Sequence, residues 1–468
     1  VKNLDSLINY SNILFSSASI KLLYDTINLN ISNIDIKIKK GILKGLFKLE
    51  NEYLKGLVNI SGDYSKNMVS LSTLSKFKIG KFVKNYSADG EVDGKIVFNI
   101  KDKSNYGNLN LKLVNLTGEG FNDSLRMVIN KVTFKNLTRE VKIETLFFDG
   151  RYISGNSRDL SFNRFKDKVI LSGNLNLDYI NYDSLFFKKS SENEKKESKP
   201  PVIDKKYKGT FKITAGKLLF KDELLENVKL DIILDTGLFI VKNVNSNFLK
   251  GKIGGNFSYF SYREGYIESY FEGKDVVIDD FMKRKHYLPF DMGSKIFTNT
   301  QLNFYHNKVK ESLKGKIDVE SKQGWIHFTG LMGKISSALN LPIPDTFFFD
   351  DMYGEFEVDS QKVKFEDFEM QKNGHYLVYK GEVDFNKVMD IEGIYLIDMR
   401  IADTGLLEKI LRISSYPSDS IVVKFRLKGD YKKPNIIITY NSIGSYLKEK
   451  TDENINRMLN DLKGIFKR

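Results

Sequence analysis

The sequence predicts a mainly β protein built of antiparallel sheet, and three observations carry that prediction. Apolar and polar residues alternate with a period of two over most of the chain, which puts the apolar side chains on one face of a pleated strand and leaves the other face to water. The alternating runs are short and are punctuated by Asn, Asp and Gly, as hairpin strands are. Aromatic residues make up 13% of the chain, with 34 Phe and 24 Tyr, and sheets favour these side chains.

The stretch from Tyr353 to Phe385 shows the pattern most plainly and reads as four short strands separated by three tight turns. Phe356 and Val358 alternate with Glu355 and Glu357, Val363 and Phe365 with Lys362 and Lys364, and Val383 and Phe385 with Glu382 and Asp384. Asp359-Ser360-Gln361 and Asn373-Gly374 mark turns, the second being a two-residue hairpin signal.

Taken in order, Ile20, Leu22 and Tyr24, then Ile27, Leu29 and Ile31, then Ile34, Ile36 and Ile38 open the chain as strands. Phe77, Ile79, Phe82, Val83 and Tyr86 include helical spacings and predict a short amphipathic helix. Ile96, Phe98 and Ile100, then Leu109, Leu111 and Leu113, then Val141 and Ile143 return to strands. Residues 188–208 break the pattern with Lys, Glu, Ser and Pro200-Pro201, a composition that reads as an exposed linker or long loop. Phe211 and Ile213, Leu218 and Phe220, Val228 through Leu234, and Phe239 with Val241 resume the strands.

Strands that run into an Asp and a brief apolar helical turn recur at 171–187, 269–284 and 394–411, with Asp183, Asp279 and Asp403 placed as caps. Trp325 sits in a strand, and 331–341 is expected to be a helix before Pro342. The last strands carry Ile421, Val423, Phe425 and Leu427, then Ile436, Ile438 and Tyr440. Beyond Asn441 the apolar spacing becomes helical, predicting a terminal amphipathic helix that covers a strand edge, with membrane-surface binding as the alternative. The chain is thus expected to divide into 1–187, a linker at 188–208, 209–440, and a helix at 441–468.

Composition limits the function. With 468 residues, 41% of them apolar, the chain has material for a large buried surface. The net charge of +13 comes mostly from scattered Lys, the pattern of a solvated sheet face, with attraction to anionic membranes or nucleic acid as the alternative. Nucleic-acid binding calls for clustered Arg among exposed aromatics, which the chain lacks. There is no Cys, which excludes disulfides, thiolate metal sites and Cys nucleophiles. No apolar run reaches the length of a membrane-spanning helix.

Asp-Thr-Gly occurs twice, at Asp235-Thr236-Gly237 and Asp403-Thr404-Gly405, the form in which aspartic proteases present paired carboxylates. Leu238 and Leu406 follow where those enzymes carry a small residue, so a hairpin turn and a helix start are expected instead. The four histidines, His286, His306, His327 and His375, share no ligand spacing. Gly90 to Gly94 and Gly118 to Gly120 read as punctuation between strands, because no phosphate-loop Lys follows. No enzymatic activity, metal or cofactor is expected.

The order of the phrases GKLLFKDELLENVKLDIILDTG, FLKGKIGGNFSY, YFEGKDVVIDDFM, GKIDVESKQGWIHFTGLMGKISSALNLP, YGEFEVDSQKVKFEDFEM, YKGEVDF and VKFRLKGDYKKPNIII resembles the AsmA-like family of bacterial envelope proteins. Its relatives include TamB-type and bridge-like lipid transfer proteins. The resemblance covers about 207–440 well and 1–187 more loosely. It implies a long curved antiparallel sheet forming an open hydrophobic groove, anchored in the inner membrane through a segment preceding Val1 and reaching into the periplasm. It also implies non-enzymatic transport of phospholipid or another envelope lipid. Acyl chains would leave water in such a lane at about 0.8 kcal/mol per buried CH₂.

At roughly 18 residues per strand and turn, about 25 strands at ~4.8 Å would extend on the order of 120 Å, well beyond one bilayer of ~40 Å. The candidate lining residues are Phe98, Ile100, Leu111, Leu230, Ile232, Phe356, Val358, Phe365, Val383, Phe385, Val423 and Phe425. Alternation alone leaves open a β-sandwich scaffold or assembly factor whose apolar face packs on another sheet and whose edge strand captures a protein partner.

Overall fold

The computed structural model describes residues 13–24, 27–50, 54–83, 86–118, 125–136, 139–186, 202–281, 290–328, 330–339, 345–398, 420–430 and 434–442. The chain is mainly β and antiparallel, as its alternation predicts, and divides into two compact units at Ser246/Asn247. The strands of the first unit are β1 (Ile13–Tyr24), β2 (Ile27–Lys39), β3 (Ile42–Glu50), β4 (Leu54–Asp63), β5 (Met68–Val83), β6 (Tyr86–Asn99) and β7 (Asn105–Gly118). They continue with β8 (Leu125–Lys135), β9 (Glu140–Asp149), β10 (Ile153–Phe165), β11 (Lys168–Asn181), β12 (Tyr207–Phe220), β13 (Glu223–Asp235) and β14 (Leu238–Phe248), which runs across the division. The second unit holds β15 (Gly251–Phe260), β16 (Tyr266–Val277), β17 (Phe290–Tyr305), β18 (Lys314–Phe328) and β19 (Thr346–Asp359). It ends with β20 (Lys362–Lys372), β21 (His375–Asp384), β22 (Val388–Asp398), β23 (Ser420–Asp430) and β24 (Asn435–Asn441). Helices among the described residues include α1 (Tyr182–Phe186), α2 (Val309–Ser312) and α3 (Leu331–Leu339).

Within each unit, strands pair with their sequence neighbours, so each is a meander rather than two facing sheets. From β1 to β13 every pairing is antiparallel except β11 with β12, which run parallel with Val169 opposite Tyr207 and Leu177 opposite Ala215. A parallel pair needs a long crossover, and the connection from Tyr182 to Lys206 supplies it. The linker read at 188–208 therefore joins two strands of one unit.

Several hairpins turn through two residues with positive φ, among them Lys40-Gly41, Lys221-Asp222, Thr236-Gly237 and Asn373-Gly374. Those dihedral signs give the type I′ turn, whose twist matches the flanking strands. Positive φ also occurs inside strands, at Asn33, Lys131, Asp159, Asp275 and Gln323, near register shifts in β2, β8, β10, β16 and β18. Such bulges sharpen the twist and flip the alternation of the strand that carries them.

This explains two departures from the sequence reading. Residues 353–385 form three strands, not four, because β20 runs unbroken from Lys362 to Lys372 through a register shift between Phe365 and Phe368. The helix expected over 77–86 is absent among the described residues: β5 continues to Val83 and β6 starts at Tyr86, with a shift between Gly80 and Val83. Gly90 to Gly94 also lies inside β6 rather than between strands.

The second unit curls. A flat sheet would separate β19 from β22 by about 14 Å, yet the rings of Phe347 and Tyr395 meet with centroids 6.4 Å apart. α3, which follows β18, packs on β24, and Lys334 Nζ donates to the Ile436 carbonyl at 2.8 Å. Leu331, Met332 and Ile335 of α3 are buried in a cluster with Ile326, Phe349, Met370, Leu377, Ile397, Ile421, Val423 and Phe425. Gly393 and Gly354 make room for this packing, since a Cβ there would strike the rings of Phe425 and Phe368 at 2.2 and 2.5 Å. The expected helix at 331–341 is α3. At α1, Asn181 rather than Asp183 accepts from the Ser184 N–H, at 2.9 Å. Asp403 and nearly all of 441–468 lie outside the described residues, and no described helix is long and apolar enough to cross a membrane.

Candidate functional site

Cross-strand register places one apolar row across the first unit. Residues directly opposite in a ladder share a face, so Phe47 with Val58, Ile60 with Leu71, Leu71 with Ile96, and Val69 with Phe98 lie on the same side. The row continues through Val92 and Leu111 to Ile129, and at the far end through Phe211 and Ile232, and Ile213 and Leu230. Most of these side chains are half-buried. Leu, Ile and Val dominate, and glycines such as Gly45, Gly56, Gly94 and Gly107 are interleaved on the same face.

The equivalent row of the second unit is filled. Every large side chain with under 2% exposure among the described residues lies between Ile326 and Phe425, including Phe349, Met370, Leu377, Ile397 and Val423. Long Phe, Tyr and Met side chains reach across the curl, where Phe368 meets Tyr379 with ring centroids 6.1 Å apart and Tyr379 meets Phe425 at 5.7 Å.

The candidate lining residues divide between these two conditions. Leu111, Leu230 and Ile232 are half-buried in the open row, Phe98 is 38% exposed at the end of β6, and Ile100 is 59% exposed in the following turn. Val358, Phe365, Val423 and Phe425 are buried at 8% exposure or less, in contact with protein rather than available to a ligand. Phe356 and Val383 pack against the same cluster. Phe385 follows the end of β21 with its N–H bonded to the Gln361 carbonyl. Sequence reasoning missed the α3 anchors Leu331, Met332 and Ile335, although the apolar spacing within 331–341 carried the signal.

The polar candidates are occupied by structural work. Asp235 and Thr236 sit in the β13–β14 hairpin, where Lys208 Nζ lies 2.6 Å from the Asp235 carboxylate and the Thr236 hydroxyl donates to it. These two contacts hold its pKa below the ordinary value. His375 Nδ1 lies 2.9 Å from Tyr395 Oη, the two rings stack, and burial pushes the imidazole pKa down. His327 pairs with Thr346, while His286 lies outside the described residues. Among the described residues no group of three or more His, Asp or Glu could hold a metal ion.

On the charged face of the second unit, a depression of about 460 Å³ is lined by Glu320, Lys322, Asp351, Glu369 and Gln371. Lys322 and Gln371 both donate to Asp351 there. Farther along, Arg426 grips Asp390 through two 2.7 Å hydrogen bonds and keeps its carboxyl below the usual range.

What the arrangement can do chemically is offer a long, poorly filled aliphatic surface beside well-satisfied polar groups. No family model matches the chain, and no curated protein matches it.

Proposed function

We propose that this protein binds lipid acyl chains along the apolar row of its first unit and moves them without catalysing a reaction. The single observation that carries this reading is the continuity of the row from β3 to β13, in which most side chains are half-buried while Val58, Val132, Phe134 and Val228 are buried. A half-covered Leu or Ile still exposes apolar area to water, and covering it yields roughly 25 cal/mol per Å². An acyl chain can supply that cover at any point, because interchangeable Leu, Ile and Val give it no deep pocket to stop in.

The resemblance to AsmA-like proteins supports the same reading and adds its setting: phospholipid or another envelope lipid as cargo, carried on the periplasmic side of a bacterial inner membrane. The filled core of the second unit favours a different role for that unit, a folded scaffold rather than a stretch of lane. The test is mass spectrometry of organic extracts from the purified protein. Copurifying diacyl lipid is the expected result, and a lipid-free extract accompanied by a captured protein partner would favour a scaffold throughout.

A further inference from the structure

The two ends of the strands in the first unit differ in charge. β2, β4, β6, β8 and β10 finish, and β3, β5, β7, β9 and β11 begin, at one end of the sheet, and parallel pairing puts the start of β12 there as well. The turns at this end carry Lys39 and Lys40, Lys101 and Lys103, Lys166 and Lys168. Lys205 and Lys206 precede β12 at the same end. Turns on one end of an antiparallel sheet stand two strands apart, about 10 Å, and these lysine pairs occupy alternate turns, so they recur along the rim about every 19 Å. Among the described residues the opposite end presents Glu50, Asp149, Asp183, Asp222 and Glu223 against Lys55, Arg126, Arg151 and Lys221, a near balance.

The acids of the basic end, Asp63, Asp102, Asp167, Asp204 and Asp235, offset only part of that row, and Asp167 lies between Lys166 and Lys168. Asp102 accepts from both the backbone N–H and the hydroxyl of Ser104, and Asp63 is held by Ser65 and Lys66. Asp204 is engaged by Lys206 and Asp235 by Lys208. Lys40, Lys101, Lys103, Lys166 and Lys168 are all exposed, though Lys166 Nζ lies 6.0 Å from the Phe165 ring centroid and the Lys168 charge acts on the Asp235 carboxylate. Beside them the apolar row reaches the rim where Phe98 and Ile100 lead directly into Lys101, whereas Phe165, 70% exposed between Arg164 and Lys166, stands on the opposite face of β10 from Phe162 and Leu171. Ammonium groups next to exposed apolar side chains form the surface that a molecule with a negative head and a greasy tail fits.

We propose that this rim is the headgroup side of the lane and that it selects anionic phospholipids, an inference that rests on the lipid-lane reading. The acyl chains lie on the aliphatic row, and the phosphate sits against the lysine pairs of the rim turns. The sequence reading took these lysines as an ordinary solvated face; only the strand order shows that they gather at one end.

The test compares binding of phosphatidylglycerol and of diacylglycerol with the same acyl chains, both carrying a tail fluorophore. Three forms of the full chain are used: the native protein, the rim variant K101E/K103E/K166E/K168E, and a control K76E/K95E/K212E/K229E with the same charge change on the outer face. The native chain should bind phosphatidylglycerol about tenfold more tightly than diacylglycerol, and the rim variant should bring the two together. The control should keep the preference. Equal affinities in the native chain, or an equal loss in the control, would overturn the proposal while leaving the lane intact. Failure of the native chain to bind diacylglycerol at all would defeat the lane reading itself. Competition by glycerol phosphate alone would make the rim a plain anion site and overturn the cargo assignment. So would loss of vesicle co-sedimentation in the rim variant with its cargo preference unchanged, which would make the rim a bilayer-docking edge.

Discussion

The two units have the same strand grammar and opposite interiors. In the first, Leu, Ile and Val with Gly between them predominate on the apolar face beside Phe47, Phe98, Phe134 and Phe211, and Leu111, Leu230 and Ile232 remain half-buried. In the second, Phe347, Phe349, Met352, Phe368, Met370, Tyr379, Tyr395 and Phe425 project from the corresponding face, and α3 is laid against it. Short side chains cannot meet across a curled sheet, whereas long ones and an inserted helix can. Alternation therefore decides which face is apolar, while side-chain length and the inserted helix decide whether the chain fills it.

The sharpest way to break that contrast is to put a charge into each face. Phe425→Glu buries a carboxylate in a packed cluster, with loss of the cooperative transition in the second unit as the expected outcome. Ile232→Glu should leave far-UV dichroism and the transition largely intact while removing copurifying lipid. Unfolding by Ile232→Glu would show that the first face is filled as well. Truncation is gentler and quantitative: Phe425→Ala should cost about 3–5 kcal/mol in urea denaturation and Ile335→Ala about 2–5 kcal/mol. Leu230→Ala should cost about 1 kcal/mol, because little of its burial is lost. Equal costs at Leu230 and Ile335 would erase the distinction.

A smaller effect concerns pH. Burial lowers the folded-state pKa of His375, so the unfolded chain binds its proton first. The resulting stability is full above the ordinary imidazole pKa and is lost as pH falls through the lowered value. His375→Gln should flatten the decline in melting temperature of the second unit between about pH 7 and pH 5.

The smallest expected effect is on the charged face. Arg426 depresses the pKa of Asp390, so this pair stabilises above the ordinary carboxylate pKa and fades as pH falls through the depressed one. Because both groups are more than a third exposed, Asp390→Asn should cost under about 1 kcal/mol at pH 7. At low pH it should cost nothing measurable in the same melting assay.

Much of the fold was legible in the residues. The alternation of Val228, Leu230, Ile232 and Leu234 gave a strand, Asn373-Gly374 gave a hairpin, and the apolar spacing at 331–341 gave α3. What the sequence hid follows from bulges and from turns lacking glycine. A register shift between Gly80 and Val83 turns a period-two pattern into spacings of three and four, which imitate a helix. The shift between Phe365 and Phe368 made one strand look like two. Lys221-Asp222 turns a hairpin through positive φ without the glycine that usually marks it. The candidate site was half legible, because Leu230 and Val423 alternate identically and only the curl separates a half-covered side chain from a buried one.

Photocrosslinking from each face measures that difference directly. With p-benzoylphenylalanine at position 232 or at position 423 in otherwise native protein purified from membranes, mass spectrometry should find phospholipid adducts from position 232 and only intramolecular crosslinks from position 423. Lipid adducts from position 423 alone, or from neither position, would contradict the assignment of the lane to the first unit.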